Sequence, residues 1–232
     1  MIWKKISPSI IAKYYNGNHR VTLFSDGTKL KETINPDDDH FTYEFPESFD
    51  LKITDYCDAG CVFCAEDSTK KGKHADLYAI RDMLDSCKPG TEIAIGGGNA
   101  LEHPSLWGLV GKMKSNGLIP SITVNQKHLQ KYFQLIKTLD FAGIGVSLTD
   151  PSNKKDMCLI DELGSNVVIH TIAGVLTPKD YSVLRDRKVL ILGYKDIRRG
   201  HDNLSKHTDE IQANIEQLKK DLLMLVDKCR AI

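Results

Sequence analysis

The sequence predicts an α/β fold. The expectation is a partial barrel of six βα units over residues 49–232, preceded by a small N-terminal β-meander over residues 1–48. Three observations carry it. Two hairpin dipeptides, Asn16-Gly17 and Asp26-Gly27, flank the strand-like run Arg20–Phe24, and such pairs tolerate the positive φ that tight β-turns need. From about Asp50 onward, short apolar runs alternate with longer amphipathic stretches, as parallel strands joined by helices do. A closed eight-unit barrel takes ~250 residues, and the ~180 after the meander suit six units. The barrel is therefore expected to stay open.

Each element follows from its own pattern. Strands are expected at Leu51–Thr54, Thr91–Ile95, Pro120–Val124, Gly143–Leu148, Asn166–Thr171 and Val189–Leu192. Helices are expected between them at His74–Cys87, Ser105–Ser115, Lys127–Leu139, Lys154–Leu163 and Lys179–Arg185. A long final helix is expected from about Thr208 to Lys228. Its apolar positions Ile211, Ile215, Leu218, Leu222, Leu225 and Cys229 recur at helical spacing, and Thr208 is its expected N-cap. Asn35–Asp39 reads as a solvated loop. The meander is expected to cover an open edge of the barrel or to contact substrate.

Bulk properties exclude some functions. The chain has 232 residues, enough for one sizeable core. Lys plus Arg and Asp plus Glu both number 31, so no net charge draws it to phosphate backbones or anionic membrane. No apolar run approaches the ~20 residues that span a bilayer, and Met1–Pro8 lacks a signal peptide's apolar stretch. A cytoplasmic protein without a membrane partner is expected. Six cysteines at such a location do not suggest a disulfide framework. Three of them are bunched and three, Cys87, Cys158 and Cys229, are scattered.

The bunched three carry the chemistry. Cys57-Asp58-Ala59-Gly60-Cys61-Val62-Phe63-Cys64 directly follows the first barrel strand. Soft thiolates favour iron–sulfur clusters or zinc. Three thiolates can hold three irons of a [4Fe–4S] cube and leave the fourth iron open to an outside ligand. A zinc site completed by His74 or by Cys87 is the alternative, and would make the protein a binding or regulatory module. The second barrel strand runs into Gly96-Gly97-Gly98-Asn99, with Glu102 and Pro104 downstream. Glycines here permit close approach of a ligand to backbone. A tight turn without a ligand is the plain reading. A phosphate loop would need a G-K-[ST] sequence that is not present.

The spacing C-x3-C-x2-C, with aromatic Phe63 before the last cysteine, resembles the defining motif of the radical S-adenosylmethionine (SAM) superfamily. Ile53–Cys57 and Ser68–Ala75 resemble a group of uncharacterised phage and bacterial members. The resemblance implies a [4Fe–4S] cluster on Cys57, Cys61 and Cys64, with SAM bound to the open iron. It implies reductive cleavage of SAM to a 5′-deoxyadenosyl radical that takes hydrogen from a substrate not identified by the motif. It further implies SAM contacts at Phe63, at the backbone of Gly96, Gly97, Gly98 and Asn99, at Ser147, and at Gly193, Tyr194 and Lys195. A small electron donor such as flavodoxin or ferredoxin is implied as a partner. The familiar acidic residue after the paired glycines is replaced here by Gly98 and Asn99. Asn125 and His170 are further cavity candidates. Lys195, Arg198 and Arg199 are expected either to meet an anionic group or to form a solvated basic loop. The compact size also resembles glycyl-radical activating enzymes and the deazaguanine-forming enzymes of the queuosine pathway.

Overall fold

The computed structural model describes residues 8–231. Residues 1–7 of the expected meander, and with them most of the amino-terminal segment read above, lie outside the described residues, as does Ile232. Two sheets form. Strands β1 (Ile10–Asn16), β2 (His19–Phe24) and β3 (Lys29–Thr33) make an antiparallel meander in the order β1-β2-β3. Strands β4 (Ser48–Thr54), β5 (Glu92–Gly97), β6 (Ile119–Asn125), β7 (Gly143–Ser147), β8 (Val167–Ile172) and β9 (Val189–Leu192) make a parallel sheet in sequence order. All six expected barrel strands are present, and with the meander the fold class is as the sequence predicts.

Alternation along each strand divides the sheet into two unlike faces. Ile53, Ile93, Ile95, Ile122, Val124, Ile144, Val146, Val167, Ile169 and Val189 are buried together in the core. Helices α2 (Leu106–Ser115), α3 (Leu129–Leu139) and α4 (Lys154–Leu163) cover that face through Leu106, Leu109, Val110, Met113, Leu129, Ile136 and Ile160. Each such side chain contributes about 1.5–3 kcal/mol on burial. The other face is concave and only partly covered, and it carries the residues described in the next subsection.

Several helices depart from expectation. The first, α1, is confined to Arg81–Ser86. The expected start, His74, is taken by the sheet instead: Asp55 N donates to Lys73 O and Ala75 N to Ile53 O, both at 2.9 Å. Residues 73–75 thereby cover the free edge of β4, and a helix cannot begin until that backbone is released. The stretch expected at Lys179–Arg185 is a 3₁₀ turn, Pro178–Leu184, opened by a capping box between Thr177 and Asp180. A helix that apolar spacing does not reveal, α5 (Arg199–Lys206), buries only Gly200. The final helix α6 (Thr208–Lys228) has the expected span, but His207 is its N-cap. Thr208 lies inside it and donates its hydroxyl to Leu204 O of α5 at 2.7 Å. Its buried stripe is Ile211, Leu218 and Leu225, while Leu222 is exposed.

The meander sits under the N-terminal ends of the barrel strands, not along an edge of the sheet. Lys29 of β3 pairs with Glu92 at the start of β5, and Lys188, just before β9, donates to Asp26 O. Tyr14 packs so closely on Gly90 that a Cβ there would stand 2.4 Å from the ring. Asn16 is more than a turn residue. Its buried amide accepts from Glu44 N and Phe45 N and donates to Phe45 O, folding residues 44–45 back over the hairpin.

Glu47 joins the two sheets. It accepts from buried His19 of β2 at 2.7 Å and pairs with Lys31 of β3 at 2.5 Å, one residue before β4 begins. Burial pushes its carboxyl up, but the Lys31 and His19 hydrogen bonds outweigh it and hold the group below the ordinary value. A lowered folded pKa stabilises the fold above the unfolded value, about 4.3 for Glu. That contribution disappears as pH falls through the lower folded value. Melting temperature is therefore expected to fall in acid below about pH 4.3, and Glu47→Gln is expected to flatten that dependence. Superimposable pH profiles for the two proteins would count against the junction.

Candidate functional site

The three cysteines stand where β4 ends. Ile53 and Thr54 are buried in the sheet, the chain leaves it, and Cys57 N donates back to Thr69 O at 2.9 Å. Cys57, Cys61 and Cys64 are all free thiols of intermediate burial. Burial raises the Cys57 and Cys61 thiols above the ordinary value; at Cys61 the Lys127 ammonium and the Asn125 amide work against it.

The glycine turn after β5 is pressed against the segment that leads into Cys57. Gly98 N donates to Thr54 O at 2.7 Å and Asn99 N to Tyr56 O at 2.6 Å. A Cβ on Gly98 would stand 2.1 Å from Tyr56 O, and one on Gly97 2.4 Å from Thr54 O. Gly97 also has φ +110, where other residues are strained. Gly96 differs, because nothing lies within 4 Å of its absent Cβ. Two of the three glycines are thus explained by backbone packing and the third by open space. Asn99 is buried, and its Nδ2 lacks a hydrogen-bond partner among the described residues.

The concave face is floored with small residues. Ala94 pairs with Ser121 and Ser121 with Gly143, while Thr123 pairs with Gly145. One step nearer the cysteines, Asn125, Ser147, His170 and Leu190 form a single row across β6, β7, β8 and β9. The His170 ring lies over Gly145, where a Cβ would stand 2.3 Å from Cε1. Burial pushes His170 below the ordinary histidine value, disfavouring the charged ring. Past His170 the floor becomes apolar, with Leu190 and Leu192 exposed. The result is an open groove, polar from β6 to His170 of β8 and apolar on β9. A separate hollow of about 340 Å³, lined by Asp161, Arg187, Lys188 and Arg230 among others, lies toward the opposite end of the strands.

The remaining expected site residues are spread around the mouth. Phe63 is half-buried, and its carbonyl faces α5, 3.6 Å from where a Gly200 Cβ would be. Gly193 is exposed, with nothing within 4 Å of an added Cβ. Tyr194 turns its hydroxyl to α5, donating to Gly200 O at 3.0 Å and accepting from Asn203 Nδ2 at 2.9 Å. Lys195 is exposed. Arg198 is exposed and Arg199 part-buried, and both are engaged by the loop after Cys64. Arg198 donates to Ala65 O at 3.2 Å and Glu66 O at 3.0 Å, and Arg199 donates to Ser68 O at 2.6 Å and pairs with Asp67. Both Arg198 and Asp67 have positive φ, +53 and +52, the kind of strain that surrounding contacts must hold in place. These arginines tie the chain after Cys64 to α5.

Among the described residues no three His, Cys, Asp or Glu side chains are gathered as a mononuclear metal site. Each thiolate of a cube binds a different iron, so the three need not meet at one point. The two groups offered as a fourth zinc ligand are engaged elsewhere. His74 Nδ1 is 2.9 Å from Thr54 Oγ1, with the ring edge-on to His103, and Cys87 donates its thiol to Met83 O. Cys57, Cys61 and Cys64 would hold the cluster, with Asn125 donating to Cys61 Sγ at 3.3 Å.

Comparison with solved structures places this architecture. The chain shares its fold with SuiB of Streptococcus suis bound to the precursor peptide SuiA, at 16% identity and a TM-score of 0.51, over 76% of this chain and 48% of that one. A structure of SuiB bound to S-adenosylmethionine aligns at 14% identity and a TM-score of 0.50, over 76% of this chain and 46% of that one. The chain spans about half the length of SuiB. No protein-family model matches the sequence, and no curated protein matches it.

The glycine turn gives a paired prediction. Gly98→Ala is expected to cost about 1–3 kcal/mol in urea unfolding, as overpacking does, and to loosen the Cys57 loop. Gly96→Ala is expected to keep stability within about 0.5 kcal/mol, the range of substitutions that meet nothing. Equal effects at both positions would contradict the close approach described.

Proposed function

We propose that the protein is a radical SAM enzyme, with a [4Fe–4S] cluster on Cys57, Cys61 and Cys64 and SAM bound above the strand ends of the groove. The observation that carries this reading is the placement of a three-cysteine loop, with no fourth cysteine in it, at the C-terminal end of the first strand of an open parallel barrel. In open parallel sheets the strand carboxyl ends are where ligands bind. The fold likeness to a SAM-bound protein supports the same reading.

When bound, the cluster and SAM supply one-electron cleavage of the sulfonium C5′–S bond and a 5′-deoxyadenosyl radical for hydrogen abstraction. The chain's own residues supply the positioning. The Gly96–Asn99 turn, whose Gly98 and Asn99 N–H groups are engaged by Thr54 and Tyr56, would offer backbone carbonyl oxygens to the amino group at the methionine end of SAM. Ser147, on the row shared with Asn125 and His170, offers a hydroxyl to the ribose or carboxylate. Gly193 leaves room for the adenine beside the Tyr194 backbone, while the Tyr194 ring braces α5. His170 lines the groove, where its burial disfavours a positive charge. Lys195 at the mouth offers a cation to SAM or an anionic substrate group. Lys70, Lys71 and Lys73 are exposed on the loop after Cys64, where they favour approach of an acidic electron donor of the flavodoxin or ferredoxin kind. No described helix is long and apolar enough to cross a membrane.

Anaerobic reconstitution tests the proposal. About four irons per chain are expected, together with 5′-deoxyadenosine formed from SAM on reduction. Cys57→Ala, Cys61→Ala or Cys64→Ala is expected to abolish both the cluster and the product. Cys158→Ala, at an exposed position on α4, is expected to change neither. A single zinc per chain, or equal loss from the Cys158 variant, would refute the assignment.

A further inference from the structure

We propose that the turn Asn125–His128, between β6 and α3, clamps the cysteine loop, and that its Asn125 amide and Lys127 ammonium raise the reduction potential of the cluster held there. The inference rests on the cluster reading above and assigns the turn a role of its own. Three of its side chains reach across to consecutive parts of the same short stretch. Asn125 Nδ2 donates to Cys61 Sγ at 3.3 Å, Lys127 Nζ donates to Ala59 O at 2.8 Å, and His128 Nε2 lies 2.7 Å from Asp58 Oδ1. All three contacts fall within residues 58–61, from just after the first cysteine to the second.

The fourth residue points the other way and makes the turn rigid. Gln126 is buried. It accepts from Thr149 N at 3.0 Å and Asp150 N at 2.9 Å, and donates to Asp150 O at 2.7 Å and Asp156 Oδ2 at 3.1 Å. The turn is therefore fixed to the chain leaving β7 before it grips the cysteine loop. His128 is buried as well, packed edge-on to Tyr132, whose hydroxyl donates to Glu102.

The direction of the Asn125 amide is decided by its own backbone. Its Oδ1 accepts from Lys127 N at 3.0 Å, and a backbone N–H can only donate. The NH₂ group must then be the one that faces the sulfur. Reduction adds one electron from a low-potential donor to the cluster and breaks no bond. The added negative charge is stabilised by N–H donors to the ligating sulfur and by a nearby cation, and hydrogen bonding to cluster sulfurs is among the factors that set such potentials. Asn125 and Lys127 are thus positioning residues that act through Cys61 and its loop.

The test is a redox titration of anaerobically reconstituted protein, followed by electron paramagnetic resonance, with iron counted in every sample. Asn125→Asp keeps the acceptor for Lys127 N, removes the NH₂ donor and lowers the local charge by one, the same change of charge that Lys127→Met makes. Lys127→Met keeps the stem and removes the ammonium, and Lys127→Arg restores a cation. For Asn125→Asp and Lys127→Met the ratio of reduced to oxidised cluster at a fixed poise is expected to fall about tenfold, equivalent to about 59 mV for a one-electron couple. Lys127→Arg is expected to stay within about twofold of the parent, since charge and donors are kept. Unchanged ratios at full iron content overturn the inference, because a merely structural clamp would leave the potential where it was. Loss of iron from both Asn125→Asp and Lys127→Met also overturns it, since the turn would then hold the loop without tuning it. Unsubstituted protein that assembles no cluster instead overturns the proposed function, so the two failures are distinguishable.

Discussion

The close approach of the Gly97-Gly98-Asn99 backbone to the Thr54–Tyr56 segment is the constraint on which the site depends. Two hydrogen bonds, from Gly98 N to Thr54 O and from Asn99 N to Tyr56 O, seat one strand end on the neighbouring one. No side chain fits between them. Cys57 follows immediately, so the position of the first thiol is set by a backbone contact rather than by its own side chain. Gly72 approaches Asp55 from the other side, where a Cβ would stand 2.0 Å from the carbonyl oxygen. The segment before Cys57 is thus held between two glycines distant in sequence.

Sheet asymmetry provides the space above. Burial of large aliphatic residues against α2, α3 and α4 fixes the convex face and leaves the concave one free to carry Gly, Ala, Ser and Thr. Small residues there give up packing energy, since a floor of leucines would bury more apolar area. The sheet does not need that energy, because its other face already has a core. The meander adds support at the far end of the strands, joined through Glu47, Lys29 and Lys188. Stability and chemistry are therefore drawn from opposite ends of the same strands.

The cysteine loop is held from several directions by polar groups. The turn after β6 grips residues 58–61, Arg198 and Arg199 grip residues 65–68, and Lys52 pairs with Asp55 and Glu66 at 2.6 Å each. Much of this is hydrogen bonding to loop carbonyls, which a short irregular segment cannot satisfy from within. Such contacts give a loop without secondary structure a fixed shape. They also bring the Lys127 ammonium and the Arg199 guanidinium close enough to the Cys61 thiol to act on its charge.

Local pattern was enough for the strands and for the cysteine motif. Period-two alternation bounded by turn residues marks β4 to β9 within a few residues, and C-x3-C-x2-C needs no partner to be recognised. Helices with a strong apolar stripe, such as α4 and α6, were legible for the same reason. What the sequence did not show depends on contacts between distant segments. His74 has the local pattern of a helix start, because nothing local reveals that β4 has a free edge for residues 73–75 to cover. Helix α5 carries almost no apolar signal and exists because Gly200 fits against Lys195 O and the Phe63 backbone. Asn125 could be suspected from its place after a strand, but Gln126, Lys127 and His128 look like ordinary helix-start residues until the loop 64 to 70 positions earlier is brought beside them. The sequence by itself determined which three thiols are bunched on one loop and which strands would line up. Tertiary structure decided which charges surround those thiols, because only folding converts separation along the chain into a few ångströms of space.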